Sequence, residues 1–187
     1  MIERGGVISH AADKDAALLP DRIDGKWILF HRPTTERSGS QIALSRSDDL
    51  VSWTDPEPVL KPRAGAWWDS VRVGIGPPPL RTDEGWLIIY HGVKLAGNSG
   101  IYRVGLALAD LDEPSRVLYR VPGWIFAPFA QYERLGDKSN AVFPCGLVHD
   151  AARGELRLYY GAADSSICLA TARLDELLSA LRMSAHA

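Results

Sequence analysis

The chain has 187 residues, 46% hydrophobic and 24% charged, and its 21 Lys and Arg against 23 Asp and Glu give a formal net charge of -2. That is the composition of one globular domain or a large part of one. No basic run marks a nucleic-acid footprint, the apolar runs fall far short of the roughly 20 residues a membrane helix needs, and no secretory leader opens the sequence, so a cytoplasmic location is expected.

Twelve prolines, 17 glycines and six tryptophans point to many short strands with frequent turns, an all-β pattern. Cys145 and Cys168 lie in separate strand-like segments without metal or redox spacing and are expected to be small buried hydrophobes.

In chain order, Met1 to Asp13 reads as the tail of an element begun upstream, so the chain is expected to be the C-terminal part of a longer protein or a reduced relative of one. Three copies of one pattern follow: GKWILFH at 25–31, GWLIIYH at 85–91 and GELRLYY at 154–160, at spacings of 60 and 69 residues. Each has a turn glycine, an apolar strand and an aromatic exit. A Pro-bearing segment precedes each copy and a second strand follows it, at 41–45, 102–108 and 167–171. Polar turns come next at 48–53 and 110–114.

The repeating unit is strand, tight turn, strand, loop, strand, polar turn, strand. That describes the four-stranded blade of a β-propeller, with blades at about 14–60, 68–125 and 138–174 forming a single partial domain. A β-sandwich also offers many short strands, but it does not make long copies repeat their turn and exit residues. Leu174, Leu177, Leu178 and Leu181 recur at helical spacing beside Asp175, which predicts a short C-terminal helix over about 175–183. Propellers close with about four to eight blades, so three leave the ring open, and unpaired blade edges predict self-association of the isolated chain.

"RVGIG" at 72–76 carries a Gly-x-Gly, but Pro77–Pro79 follow, so no helix N-terminus is available to cradle a dinucleotide phosphate. Zinc, EF-hand and serine-hydrolase motifs are absent as well, and no metal or other cofactor is expected.

Polar residues gather at the strand ends: Lys14 and Asp15, His31 and Arg32, Arg72, Tyr90 and His91, Tyr102 and Arg103, Phe143, and Asp164. Each alone could be a solvated strand end, and His91 a core histidine bonded to backbone. Recurrence at corresponding ends of two repeats favours a shared mouth. Arg offers a bidentate fork to an anion, Lys a point charge, and His a donor whose charge depends on pH. Tyr90, Tyr102, Phe143 and Trp68 suit the apolar faces of sugar rings. An anion together with a sugar is the implied ligand.

At these residues the sequence resembles glycoside hydrolase family 130, the mannoside phosphorylases and their relatives, which are five-bladed propellers. The matching segments are KDAALLPDRIDGKWILFHRP, GIGPPPLRTDEGWLIIYHGV, IYRVGLALADLDEPSRVLYR, NAVFPCGLVHD and LRLYYGAADSSICLATARLDELL, in the family's order over nearly the whole chain. The resemblance implies inverting phosphorolysis of β-mannosides to mannose 1-phosphate, with inorganic phosphate as co-substrate and a mannoside disaccharide or oligosaccharide as partner. It places Lys14, His31, Arg32 and Arg72 among the phosphate contacts. Tyr90, His91, Tyr102, Arg103, Phe143 and Asp164 would line or support the sugar subsites. Strand alternation allows only one of a neighbouring pair such as His31 and Arg32 to face the cleft.

The family's general acid is an aspartate ahead of everything matched, so the resemblance implies no catalytic residue in this chain. Asp15 and Asp164 are the carboxylates placed nearest the role. Loss of such an acid costs about 10² to 10⁴ in rate, and the isolated chain is expected to be inactive. A β-mannosidase of the same fold, which would lack the basic cradle, and a non-catalytic glycan-binding remnant are the alternatives. An arabinanase-like hydrolase would place one carboxylate per blade at the inner strand, which the basic and aromatic residues here do not match.

Overall fold

A computed structural model describes residues 7–9, 12–34 and 40–184. Of the segment expected to be an upstream tail, residues 1–6 and 10–11 lie outside the described residues.

The described strands form three antiparallel sheets. Sheet A holds β1 (Ala17–Leu18), β2 (Trp27–His31), β3 (Ile42–Ser47) and β4 (Glu57–Leu60) in that order. Asp24 and Gly25, both left-handed at φ 50° and 77°, turn the chain between Ile23 and Lys26, as the aspartate-glycine pair of a tight hairpin allows. The polar turn after β3 is held by Asp49, whose carboxylate accepts from the Val51 and Ser52 backbone N–H groups at 2.8 and 2.7 Å.

Sheet B runs β5 (Arg72–Ile75), β7 (Gly85–Ala96), β8 (Ser99–Ala109), β9 (Val117–Arg120), with β6 (Leu80–Thr82) also paired to β7. β5 meets β7 at residues 90–93 and β6 meets it at 85–87. The two are one edge interrupted by Pro77–Pro79, which have no N–H to give the ladder.

Sheet C holds β10 (Val142–Asp150), β11 (Glu155–Ala162) and β12 (Ser166–Arg173). Sheet C has one strand fewer than sheet A, and the chain turns directly into the expected C-terminal helix, α2 (Leu174–Ser184), whose leucines pack with the core shared by sheets B and C. A one-turn helix, α1 (Gln131–Arg134), precedes β10.

Period-two alternation along β7 divides the interior into two cores. Trp86, Ile88 and Tyr90 join Leu19, Ile28, Phe30, Ile42 and Leu44 of sheet A, while Leu87 and Ile89 join Val142, Leu156 and Leu158 of sheet C. Burial of each large side chain contributes about 1.5–3 kcal/mol. Sheet B is therefore covered on both faces, and its neighbours on one each. The outward face of sheet C leaves Ile167 88% and Leu169 51% exposed.

Cys145 departs from its expected burial: it is exposed, and Cys168 is half-buried. Pro144 pairs with Tyr160 and Gly146 with the adjacent Tyr159, so the β10–β11 register shifts between them and Cys145 becomes the extra residue of a bulge and turns outward. No described helix is long and apolar enough to cross a membrane.

Candidate functional site

All three sheets contribute to one cleft. From the strand pair that opens sheet A, Asp15 accepts from Arg32 Nε at 2.6 Å, with side chains only 11% and 8% exposed. The Arg32 backbone N–H donates to the Lys14 carbonyl at 2.9 Å, which keeps the two segments in register. Asp15 has a left-handed backbone at φ 55°, a costly conformation for a residue other than glycine and one that collects at functional sites.

Sheet B brings His91 against that pair, with Nε2 3.6 Å from Asp15 Oδ2. The approach requires Gly74, His91's cross-strand partner. A Cβ there would stand 2.3 Å from both Asp15 Oδ2 and His91 Cε1, so only glycine leaves the room. Arg72 lies two residues earlier on β5. Burial, followed by the Arg32 and Arg72 guanidinium groups, lowers the His91 pKa to about 3. The imidazole is therefore neutral at pH 7, with one nitrogen able to donate and the other to accept. His91 Nδ1 and Arg72 Nε are buried without a hydrogen-bond partner among the described residues. Such atoms are costly to leave unmade unless a ligand or water completes them.

Aromatic rings wall the cleft. Tyr102 of β8 stacks near His91 at 6.0 Å, and Phe143 of β10 lies 4.4 Å away. Lys138 Nζ sits 5.6 Å from the Tyr102 ring centroid. Asp164 occupies the exposed β11–β12 turn, with Ala163 and Asp164 both left-handed. That turn is tied to the cleft wall through Ala141, which accepts from the Ala163 N–H and bridges Tyr102.

Neighbouring candidates separate by strand alternation. His31 faces away from Arg32: Nδ1 contacts Asp13 at 2.6 Å and Nε2 contacts Ser45 Oγ at 3.1 Å, on the outer side of sheet A. Tyr90 points into the core shared with sheet A, where its hydroxyl donates to Asp69 Oδ2 at 3.1 Å and accepts from Arg120 Nε at 3.1 Å. Arg103 lies on that same face and covers the Trp124 ring. Lys14 is exposed beside Asp15. The cleft thus gathers Asp15, Arg32, Arg72, His91, Tyr102 and Phe143. The structure places His31, Tyr90 and Arg103 elsewhere.

Sequence reasoning missed two buried carboxylates. Asp69 is fully buried and paired to Arg120 at 2.6 Å and Arg63 at 3.4 Å. Glu133 accepts from the Phe129 and Ala130 N–H groups and from the Tyr160 hydroxyl at 2.7, 2.8 and 2.7 Å. Burial raises the Glu133 pKa, yet those donors outweigh it and hold the carboxyl below its ordinary value. Gly74 and Lys138 were also missed; nothing in their local sequence marks the ring contacts they make. Among the described residues, no group of three His, Cys, Asp or Glu is placed to hold a metal.

Comparison with known proteins supplies a frame for this geometry. A family model described as beta-1,4-mannooligosaccharide phosphorylase matches residues 2–183. A 1,2-beta-oligomannan phosphorylase of Thermoanaerobacter sp. is 39% identical over 176 residues, covering 94% of this chain and 55% of that protein. A beta-1,2-mannobiose phosphorylase of Listeria innocua is 38% identical over 185 residues, covering 98% and 50%. The solved structure of the Listeria innocua beta-1,2-mannobiose phosphorylase in complex with beta-1,2-mannobiose superposes with a TM-score of 0.87 at 38% identity, covering 96% of this chain and 49% of that one. The chain spans about half the length of the curated relatives it matches.

Proposed function

Because the chain belongs to glycoside hydrolase family 130, a family of propeller-type enzymes, we propose that its cleft forms the phosphate-binding side and part of the sugar wall of a β-mannoside phosphorylase. In this reading the three sheets are successive blades and inorganic phosphate is the co-substrate. One observation carries it: Arg72 Nε and His91 Nδ1 are buried and unbonded beside Arg32, with Tyr102 and Phe143 rings facing the same space.

Phosphate presents several acceptor oxygens, and guanidinium groups match them in a planar fork. A neutral imidazole gives one further donor without adding a third full positive charge to those of Arg32 and Arg72. In inverting phosphorolysis a phosphate oxygen attacks the anomeric carbon from the face opposite the departing sugar, so phosphate occupies the place that a base and water hold in an inverting hydrolase. The C–O bond to the leaving sugar breaks as the new C–O bond to phosphate forms, and the leaving oxygen takes a proton from an acid. Asp15 is engaged by Arg32 and serves here to position that arginine.

The test is β-1,2- or β-1,4-mannobiose cleavage by the complete polypeptide, with and without phosphate. Mannose 1-phosphate forms only with phosphate present and falls at least about tenfold on Arg72→Gln, as expected for loss of a charge-assisted contact. Cleavage that proceeds unchanged without phosphate overturns the reading in favour of a β-mannosidase.

A further inference from the structure

A second hollow lies on the opposite face of sheet B. His91 is paired with Val104 and Tyr102 with Val93, whereas Arg103 is paired with Gly92 and Lys94 with Ile101. Alternation therefore directs Arg103 and Lys94 away from the cleft. They line a hollow of about 500 Å³ together with Trp67, Trp68 and Trp124, a size typical of small-molecule sites.

The walls are fixed before any ligand arrives. Trp68 Nε1 donates to the Pro122 carbonyl at 2.9 Å, and Arg63 donates to the Pro122 and Val121 carbonyls at 2.7 and 2.8 Å. Buried Asp69 holds Arg63 and Arg120 behind them. Trp67 and Trp124 nevertheless remain 44% and 50% exposed. Arg103 lies 4.6 Å from the Trp124 ring centroid, and Lys94 Nζ donates to the Ala66 carbonyl at 2.7 Å. Burial draws the Arg103 guanidinium below its ordinary value with no carboxylate to offset it. Among the described residues, the lining holds two cations and no carboxylate.

Arg63 lies over Trp67 and Arg103 over Trp124, each 4.6 Å from the ring centroid, and the remaining exposed area of these half-exposed indoles can accept the apolar face of a sugar ring, while cations without a carboxylate partner accept an anion. We propose that this hollow binds a monosaccharide phosphate, with Lys94 and Arg103 on the phosphate and Trp124 against the ring. The assignment goes beyond the cleft and does not need phosphorolysis to occur there. Should phosphorolysis occur there, its sugar phosphate product belongs to the class this hollow takes.

Mannose 1-phosphate, mannose and inorganic phosphate are titrated separately into the 187-residue chain carrying Arg72→Gln, which impairs the cleft, with calorimetry and tryptophan emission as readouts. Mannose 1-phosphate binds and changes the emission, while mannose and phosphate each bind at least about tenfold more weakly. Adding Lys94→Gln with Arg103→Gln, or Trp124→Leu alone, weakens mannose 1-phosphate by about tenfold or more, with melting curves confirming that each variant is folded. Binding that survives both changes, no binding in the Arg72→Gln chain, or inorganic phosphate binding as tightly as the sugar phosphate overturns the proposal. None of these readouts depends on turnover, so failure of the cleft reading leaves them interpretable.

Discussion

Asp15 and His91 come together across a missing side chain: Asp15 Oδ2 lies 3.6 Å from His91 Nε2, and a Cβ on Gly74 would stand 2.3 Å from the first and 2.7 Å from the second. Sheets A and B therefore meet at the cleft only because β5 carries glycine there.

Gly74→Ala is expected to separate the two. The new methyl group must displace either the Asp15–Arg32 pair or the imidazole, at a cost of about 1–3 kcal/mol. A melting curve should show the loss of stability, and calorimetry should show phosphate affinity falling at least about tenfold. An alanine variant with unchanged phosphate affinity would mean that the cleft does not depend on this contact.

Arg32→Met is expected to destabilise the chain by about 3–5 kcal/mol because it leaves Asp15 buried without its partner. Replacing both residues, as Asp15→Leu with Arg32→Met, should restore most of that stability while abolishing phosphate binding. Urea denaturation of the two single variants and the double variant separates the pair's structural role from its ligand role.

The His91 pKa predicts a specific acid sensitivity. His91 sits at about 3 in the folded chain against an ordinary 6.5, so the unfolded state binds the extra proton first. Its contribution to stability is complete above pH 6.5 and declines as pH falls from 6.5 towards 3. His91→Gln should flatten the denaturation midpoint across that window relative to the parent, and a parallel slope would contradict the assignment.

Asp69→Asn removes the counter-charge of two arginines from a fully buried position and should cost about 3–5 kcal/mol. Because Arg63 also anchors the Pro122 and Val121 carbonyls, faster amide exchange over 121–124 should accompany the loss.

The outward face of sheet C should make the isolated 187-residue chain self-associate, since Ile167 and Leu169 are 88% and 51% exposed on β12, an edge strand of that sheet. Size exclusion at rising concentration should show this, and Ile167→Lys should suppress it. A monomer at every concentration would refute it.

Much of the architecture was legible in the chain. Turn glycines before GKWILFH and GWLIIYH, followed by alternating strands, fixed the hairpins of sheets A and B, and the leucine spacing marked α2. Local pattern also separated Arg32 from His31, because alternation is a property of adjacent residues. The buried carboxylates were not legible. Asp69 looks like any polar residue after two tryptophans, and its burial depends on Arg120, 51 residues away. The outward turn of Cys145 was not legible because a bulge depends on which strand lies alongside.

The division of β7 between two cores sets a limit on how this protein can change. Trp86, Ile88 and Tyr90 serve one interior, and Leu87 and Ile89 the other, with His91 at the cleft end. A one-residue insertion or deletion in that run would reverse every side chain beyond it, turning the Tyr90 phenol into the cleft and the imidazole into Asp69's pocket. Substitutions there can be tested one position at a time, but the length of the strand is not free to drift.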